Sequence, residues 1–294
     1  MTSSRGVVVL GMHRAGTSLV TRGIKSLGIY MGDDFVDPQF DNPRGYWEDR
    51  NVVDLNKRVL SVFGLKWESP DLLTGAQWQE PELEAMRLEA IEHVRANFSS
   101  HPLWGFKDPR TIRLLPFWWP VLESVGVQDS YVVVIRNPLS VAESLIVRQP
   151  DVFDPALAHA LWLAHMVPYL SMIEKKPFVV TDYDLLMDDP RGQLLRIGRA
   201  LEIPATAGIS AEIDDFVANF LDPRMRHTRF GRLDRDFVPH LSLLVQKAYL
   251  CLSRLATDRI GPDRSSFWSE WSQIEAATRR LLDDESVIPE RNVQ

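Results

Sequence analysis

Gly6-Val-Val-Val-Leu-Gly-Met-His-Arg-Ala-Gly-Thr-Ser-Leu-Val20 is the stretch that decides the fold. Val7 to Leu10 form a short β-branched run, which predicts a buried strand. A turn bounded by Gly11 and Gly16 follows, and from Thr17 onward apolar residues recur with a helical period. In such a strand, loop and helix, the loop amides and the first free N–H groups of the helix converge on one point, where the helix dipole also favours negative charge. The stretch therefore predicts an anion-binding cradle.

Thr17 is the most informative residue of this loop. The spacing from Gly11 to Gly16, followed by Thr17 and Ser18, matches the nucleotide-triphosphate loop except that Thr17 stands where that loop carries lysine. In a triphosphate site the lysine contacts the β- and γ-phosphates, and the next hydroxyl binds magnesium. Here the positive charge lies earlier, on Arg14. We therefore expect an anion other than ATP.

Composition limits the domain count and the class of partner. The chain has 294 residues, of which 45% are hydrophobic and 25% charged, and its formal net charge is −7. This length favours one α/β domain over 1–294, with a core over about 6–205 and helical additions over about 206–294. An acidic chain is not a general nucleic-acid binder, so an anion site must be built from local arginines. The single cysteine, Cys251, excludes an internal disulfide and a cysteine-based zinc cluster.

The apolar segment Pro155 to Ile173 is the one stretch that resembles a membrane span, because it carries no formal charge. His159, His165 and Pro168 within it favour a buried helix instead. The first residues of the chain lack the regions of a signal peptide and run directly into the first predicted strand. We therefore expect a soluble, cytoplasmic protein without a membrane span.

Later segments place polar residues at the carboxyl ends of predicted strands. Lys107 ends a short apolar strand that begins at Leu103, and Arg136 ends the run from Val132 to Ile135. Tyr183 follows a further apolar run in the same way. Ligands of open α/β sheets collect at these ends of the strands, so we expect the three side chains to lie near the loop.

Taken in order, the segments resemble those of the sulfotransferases, which take a sulfuryl group from 3′-phosphoadenosine-5′-phosphosulfate (PAPS). The loop after Gly11 resembles the 5′-phosphosulfate loop of that family. Lys107-Asp-Pro resembles a signature of tyrosylprotein and many bacterial sulfotransferases, and Arg136 with Ser144 resembles the 3′-phosphate site. The resemblance implies an α/β fold: a P-loop-like three-layer domain with a mainly parallel central sheet flanked by helices, and helical C-terminal additions.

The resemblance also implies which residues bind PAPS. A guanidinium fork on Arg136 and the Ser144 hydroxyl would hold the 3′-phosphate, and Tyr183 would contact the adenine. In the basic stretch that follows Phe220, Arg226 is the candidate to close over the donor, with Arg224 or His227 as alternatives; a solvated surface loop is the competing interpretation. The remaining donor-binding candidates belong to the loop and the start of its helix: Arg14, Ala15, Gly16, Thr17, Ser18 and Leu19.

The sequence departs from the family pattern at the base-binding residues. Leu19 occupies the position where many cytosolic sulfotransferases have a tryptophan that stacks on the base. Asp184 replaces the glutamate of a Tyr-Glu-Asp-Leu segment, and the family's glycine-rich C-terminal motif is not evident. The residues therefore point more firmly to the phosphates than to the base.

Glu48 is the candidate general base, because the acceptor hydroxyl or amine must lose a proton as it attacks sulfur. A helix is predicted to begin near Asp49, so that the helix dipole and backbone amides would keep Glu48 ionised. The alternative is that Glu48 only caps this helix or pairs with Arg44 or Arg50. His13, inside the loop, is the second candidate base, or a hydrogen-bond donor to the anion.

Lys107 is the candidate for stabilising the charge that develops on the leaving phosphate, together with Arg14, and Asp108 would orient Lys107 or Arg110. No metal is required by this scheme. A nucleotide-dependent phosphotransferase is the leading alternative, because Val179 to Asp182 has the form of a magnesium-holding strand. The other alternative is a protein of the same fold that binds a nucleotide without catalysing a reaction. From the resemblance to the sulfotransferases we expect a carbohydrate or small-molecule acceptor, and no residue of the sequence identifies it.

Overall fold

Parallel strands form the central sheet of the structure, a computed structural model that describes residues 4–40, 42–222, 242–260 and 264–283. All the neighbouring strands are parallel, and their order across the sheet is β2-β1-β3-β4. The strands are β1 (Arg5–Gly11), β2 (Leu103–Lys107), β3 (Gln128–Ile135) and β4 (Phe178–Asp182). This confirms the predicted α/β class and the strand expected at Val7 to Leu10.

Helices connect the strands and extend beyond them. The α-helices of the described residues are α1 (Thr17–Lys25), α2 (Arg50–Val62), α3 (Glu82–Asn97), α4 (Leu115–Val125), α5 (Pro138–Arg148), α6 (Pro155–Met166), α7 (Tyr183–Asp188), α8 (Pro190–Ala200), α9 (Ala207–Asp215), α10 (Leu243–Ala256) and α11 (Ser265–Asp283). Short 3₁₀ helices lie at Gln77–Gln79, Pro109–Ile112 and Leu170–Ile173, and a π-helical turn lies at Phe216–Phe220.

Helix starts follow local sequence signals. The helices α5, α6 and α8 each have proline as their first residue, where its missing N–H and fixed φ cost nothing. The Asp49 carboxylate accepts a hydrogen bond from Val52 N at 2.9 Å and caps α2, since Asp is among the best residues for this position. The helix predicted near Asp49 is therefore confirmed, and its start fixes the backbone that carries Glu48.

The two faces of the sheet bury different residues of the same strand. In β1, Val8 and Leu10 pack into one apolar cluster, while Val7 and Val9 pack into another on the opposite face. Alternation of this kind follows from the two-residue period of a strand. A parallel sheet covered on both faces is consequently the middle of three layers.

Strand register brings the predicted polar residues to one edge. Val9 of β1 is paired with Lys107, and Gly11 is paired with Val134, just before Arg136. Because all these strands are parallel, their carboxyl ends lie together. The loop that follows β1 therefore meets the residues that follow β2, β3 and β4.

One helix prediction needs its bounds changed. The helix expected over Pro155 to Ile173 ends at Met166, and a separate 3₁₀ turn follows beyond Pro168, which cannot donate a helical hydrogen bond. By length and composition this stretch passes for a membrane span, yet 67% of its most apolar window is buried inside the protein. Of the helical additions expected over about 206–294, the structure describes α9, α10 and α11, while 223–241 lie outside the described residues.

Candidate active site

The loop between β1 and α1 has the shape of an anion cradle. Arg14 and Gly16 have positive φ values of 65° and 85°, which turn the chain sharply before Thr17 starts the helix. The N–H of Ala15 is used within the loop, where it donates to Met12 O at 3.2 Å. The amides at the start of α1 have no partner inside the helix, so they remain available to an anion.

Gly16 is required by a close approach of Tyr183. A Cβ built on Gly16 would lie 2.2 Å from Tyr183 Cδ2, far inside van der Waals contact, and the left-handed backbone disfavours any other residue there. Tyr183 is the first residue of α7 and is 7% exposed. The loop after β1 and the segment after β4 thus touch each other directly.

A cleft of about 190 Å³ opens over this loop. Its walls come from separate parts of the sequence, which meet at the carboxyl edge of the sheet. The predicted residues that line it are His13, Arg14, Gly16, Thr17, Ser18, Leu19, Glu48, Arg136 and Tyr183.

Arg14, Ser144 and Arg136 form one connected group beside the loop. Arg14 Nε donates to Ser144 Oγ at 2.9 Å, and Arg136 Nη1 donates to the carbonyl oxygen of Arg14 at 3.1 Å. The guanidinium of Arg136 also lies 4.6 Å above the ring of Tyr183, a cation–π contact. Two guanidinium groups and a hydroxyl, contributed by two segments, therefore lie next to the loop. Ser140, one turn before Ser144, is fully buried.

Lys107 and Glu48 form a buried ion pair at the start of α1. Lys107 Nζ lies 2.7 Å from Glu48 Oε1 and donates to Ser18 Oγ at 3.2 Å. Their side chains are 0% and 11% exposed, respectively. Since a buried pair in a low-dielectric environment interacts more strongly than one in water, the two groups hold each other in place.

The pKa of Glu48 is raised above the usual glutamate value. Burial is the largest cause, the nearby Lys107 ammonium opposes it, and the Asp108 carboxylate adds to the rise. The expectation that the helix start keeps Glu48 ionised is therefore wrong, because Asp49 rather than Glu48 accepts the helix amide. Lys107 supplies the stabilising charge instead.

The alternative partners proposed for Glu48 are engaged elsewhere. Arg44 Nη2 lies 3.5 Å from Asp222 Oδ2, and Arg50 pairs with Asp34 and Asp37. Glu48 is thus left to Lys107, and its carboxylate lines the cleft.

Asp108 orients Arg110 rather than Lys107. Its carboxylate accepts from Arg110 N at 2.9 Å and from Arg110 Nη1 at 2.8 and 3.0 Å. These bonds close the 3₁₀ turn that follows β2. Beneath the turn, Asn56 Nδ2 donates to Thr111 Oγ1 at 3.1 Å, and Asn56 Oδ1 accepts from Trp118 Nε1 at 2.7 Å. This buried network fixes the turn next to Lys107.

His13 is enclosed by aromatic rings on the inner side of the loop. Its ring centroid lies 4.2 Å from that of Trp67 and 5.9 Å from that of His165. The Nε2 atom of His13 is buried and makes no hydrogen bond. Burial, followed by the positive charge of Arg110, holds the pKa of His13 well below its usual range. His13 is consequently a neutral imidazole.

Several cleft residues were not anticipated from the sequence. Asn42, Gly45, Tyr46, Arg148, Met187 and the segment from Phe220 to Asp222 also line the cleft. The guanidinium of Arg44 lies 5.3 Å from the ring of Phe220, so the two loops meet across the cleft. The turn signal at Asn42-Pro43 marks a loop, but no sequence pattern relates it to Phe220. Arg226, together with Arg224 and His227, lies outside the described residues.

Comparison with known proteins finds a likeness in structure alone. Neither a protein-family model nor a curated protein matches this sequence. Sulfotransferase STF9 from Mycobacterium avium is similar with a TM-score of 0.50 and 16% identity, over 88% of this chain and 78% of that one. The sulfotransferase domain of the Synechococcus PCC 7002 olefin synthase aligns over 94% and 95% of the two chains with a TM-score of 0.42 and 16% identity. The likeness to STF9, together with the parallel sheet and its helical layers, shows that this chain has the α/β fold of the sulfotransferases.

Proposed function

We propose that the protein transfers the sulfuryl group of PAPS to a hydroxyl or amine of a carbohydrate or small-molecule acceptor. The observation that carries this proposal is the Lys107–Glu48 pair at 2.7 Å, in which Glu48 lines the cleft and Lys107 donates to Ser18, next to the Thr17 that stands in place of the loop lysine. A base and a cation beside an anion cradle suit the transfer of a charged group between two oxygens.

The residues at the cradle fit a ligand with two separated phosphate groups. Gly16 lets Tyr183 pack directly against the loop, and the amides at the start of α1 suit the 5′ group. Arg136 and the Arg14–Ser144 pair lie beside the loop, where planar guanidinium groups suit the 3′-phosphate. Leu19 and Tyr183 line the same cleft and are the candidates for the base.

When bound, PAPS supplies an activated sulfuryl group whose leaving group is adenosine 3′,5′-bisphosphate. The chain's own groups then have separate tasks. Glu48 accepts the proton of the acceptor, and its raised pKa makes it a better base than an exposed glutamate. Lys107, already bonded to Ser18 at the start of α1, and Arg14 stabilise negative charge at the phosphate. Burial holds the pKa of His13 well below its usual range, so His13 is a weaker base than a free imidazole and ranks second.

The phosphotransferase alternative is disfavoured by the position of Asp182. This carboxylate accepts from the amides of Asp184 and Leu185 and from the hydroxyl of Tyr249 at 3.2 Å. It therefore caps α7 inside the core and is fully buried, which is unlike the exposed carboxylate that a nucleotide-bound magnesium ion needs.

Calorimetric titration tests the proposal without knowledge of the acceptor. The protein is titrated with adenosine 3′,5′-bisphosphate in the absence of magnesium, and in parallel with ATP plus magnesium. We expect tight binding of the bisphosphate, and its loss in Arg136→Ala. Preference for magnesium-ATP would refute the proposal and favour a kinase.

A further inference from the structure

Glu48 lies between Trp47 and Asp49, and contacts with other parts of the chain hold both of these neighbours in place. Its backbone oxygen accepts from Val36 N at 2.9 Å, and Phe35 forms an antiparallel bridge with Asp49. The side chains of Trp47 and Asp49 make further contacts with other parts of the chain. The geometry of these neighbours decides where the Glu48 carboxylate points.

Trp47 holds a backbone conformation that a bulky residue rarely adopts. Its φ is 57°, in the left-handed region, which is sterically unfavourable for a residue with a Cβ. Its indole Nε1 donates to Arg44 O at 3.1 Å, and its ring packs 5.3 Å from Phe35 and 6.0 Å from Phe220. The guanidinium of Arg22 lies 5.6 Å from the same ring. These contacts keep the strained turn closed immediately before Glu48.

Asp49 is held on the other side by a histidine of α3. His93 Nε2 lies 2.9 Å from Asp49 Oδ1, the same oxygen that caps α2 by accepting from Val52 N. Asn97 Nδ2 lies 3.0 Å from His93 Nδ1, which leaves the Nε2–H to point at Asp49. The side chains of His93 and Asp49 are 10% and 4% exposed, so the bond is shielded from water.

We infer that Trp47, Asp49 and His93 form a clamp that positions Glu48 against Lys107. We call these three residues the Glu48 clamp. Its importance for catalysis rests on the proposed function, whereas the positioning of Glu48 is a property of the protein without ligand. A base displaced by about 1 Å loses on the order of 100-fold in rate. The structural reason is that Glu48 sits next to a strained residue and a helix cap, either of which can turn its carboxylate out of the cleft.

Carbon NMR of the carboxyl group tests the clamp directly. Protein labelled with ¹³C at glutamate Cδ is titrated with acid, and the Glu48 resonance is identified by its loss in Glu48→Gln. We expect that in His93→Ala and in Trp47→Ala the carboxyl turns toward water, so that its pKa falls toward that of an exposed glutamate. His93→Gln, which keeps a donor for Asp49, restores the wild-type titration.

Matched controls separate positioning from a general loss of structure. His101→Ala removes a nearby histidine whose ring stacks on Tyr30 at 3.6 Å, and Trp119→Ala removes a tryptophan of α4 that lies against Lys176. Neither replacement is expected to change the Glu48 titration. Where an alanine variant does not fold, His93→Asn or Trp47→Phe takes its place. Each keeps a similar side chain, but the first loses the hydrogen bond to Asp49 and the second loses the one to Arg44 O.

The binding of adenosine 3′,5′-bisphosphate is measured on the same variants. We expect its affinity in the His93 variants to stay within about twofold of wild type, since the hydrogen bonds of His93 go to Asp49 and Asn97 rather than to residues that line the cleft. A Glu48 pKa that is unchanged or higher in the folded variants would overturn the inference. If wild-type protein binds no bisphosphate, the proposed function fails, and the carboxyl titration still decides whether the clamp exists.

Discussion

Replacement of Lys107 by methionine tests the physical account of the site most directly. The substitution keeps an apolar stem of similar length and removes the ammonium that lies 2.7 Å from Glu48. The carboxylate is then buried beside Asp108 without the ammonium that contacts it, and Arg110, which pairs with Asp108, is the positive group that still acts on it. Removing one partner of a buried pair costs about 3–5 kcal/mol of stability.

The loss of stability in Lys107→Met is expected to depend on pH. Burial already raises the pKa of Glu48 and Lys107 opposes this rise, so the pKa in the variant is higher than in wild type. The unfolded chain releases this proton near pH ~4.3, whereas the folded variant retains it to higher pH. Stability therefore falls as pH increases through this window, by about 1.36 kcal/mol per pH unit. The deficit relative to wild type grows between the Glu48 pKa of wild type and that of the variant, so it is expected to be larger at pH ~7.5 than at pH ~5.0.

Urea denaturation followed by tryptophan fluorescence measures the effect at the two pH values. The set consists of wild type, Lys107→Met and the double variant Lys107→Met/Glu48→Gln. The double variant is expected to recover most of the loss at the higher pH, because it has no charge to bury. Arg58→Gln is the control: its pair with Glu89 is exposed, with side chains 39% and 50% accessible, so it costs at most about 1 kcal/mol.

Two results would refute this reasoning. The first is an equal loss for Lys107→Met at both pH values, which would mean that Glu48 does not titrate differently in the variant. The second is a double variant that is no more stable than the single one, which would mean that the two groups are not coupled. Other titrating groups contribute equally to all the proteins, so they cancel in the comparison.

Three further predictions concern the loop, a buried histidine and the base. Gly16→Ala should weaken binding of the bisphosphate by about 100-fold or more, about 2.7 kcal/mol, because the new Cβ meets Tyr183. The control is Gly28→Ala, which should bind the bisphosphate normally in the same calorimetry. Gly28 also has a positive φ, of 83°, but has open space around it. Burial lowers the pKa of His165 well below its usual value, so folding favours the neutral ring. Stability should therefore fall as pH drops below ~6.5, by up to about 1.36 kcal/mol per pH unit. His165→Leu should flatten this part of the thermal-unfolding profile, and an unaltered profile would contradict the lowered pKa of His165. Glu48→Gln should abolish PAPS turnover and retain the affinity for the bisphosphate. If wild-type protein binds the bisphosphate but turns over no acceptor, that result would favour a non-catalytic nucleotide-binding protein.

The local elements of the fold were accessible from the sequence because their signals are local. A β-branched run followed by a glycine-bounded turn predicted β1 and the loop, and Asp49 marked a helix start that the structure contains. The helix over Pro155 to Ile173 was placed correctly but made too long, because the apolar composition continues past Pro168 while the backbone hydrogen bonding does not.

The contacts between distant residues were not accessible in this way. The sequence suggested Glu48 and Lys107 as separate groups, and the structure places them in one ion pair. It suggested the helix start as the source of charge for Glu48, whereas Asp49 takes that amide. Trp47 gives no signal of its left-handed backbone, since that conformation is imposed by contacts with Phe35 and Phe220.

The sequence by itself determined the anion loop, the parallel α/β class and the identity of the polar residues at the strand ends, because these depend on hydrophobic period, glycine position and residue type within short windows. Only the tertiary structure decided which of those residues touch. Arg14 reaches Ser144, and Lys107 reaches Glu48, because parallel strands bring their carboxyl ends to one edge and the register sets the distances. Those distances, together with burial, set the charge balance at the cleft and the pKa of Glu48, and neither can be inferred from a single segment of the chain.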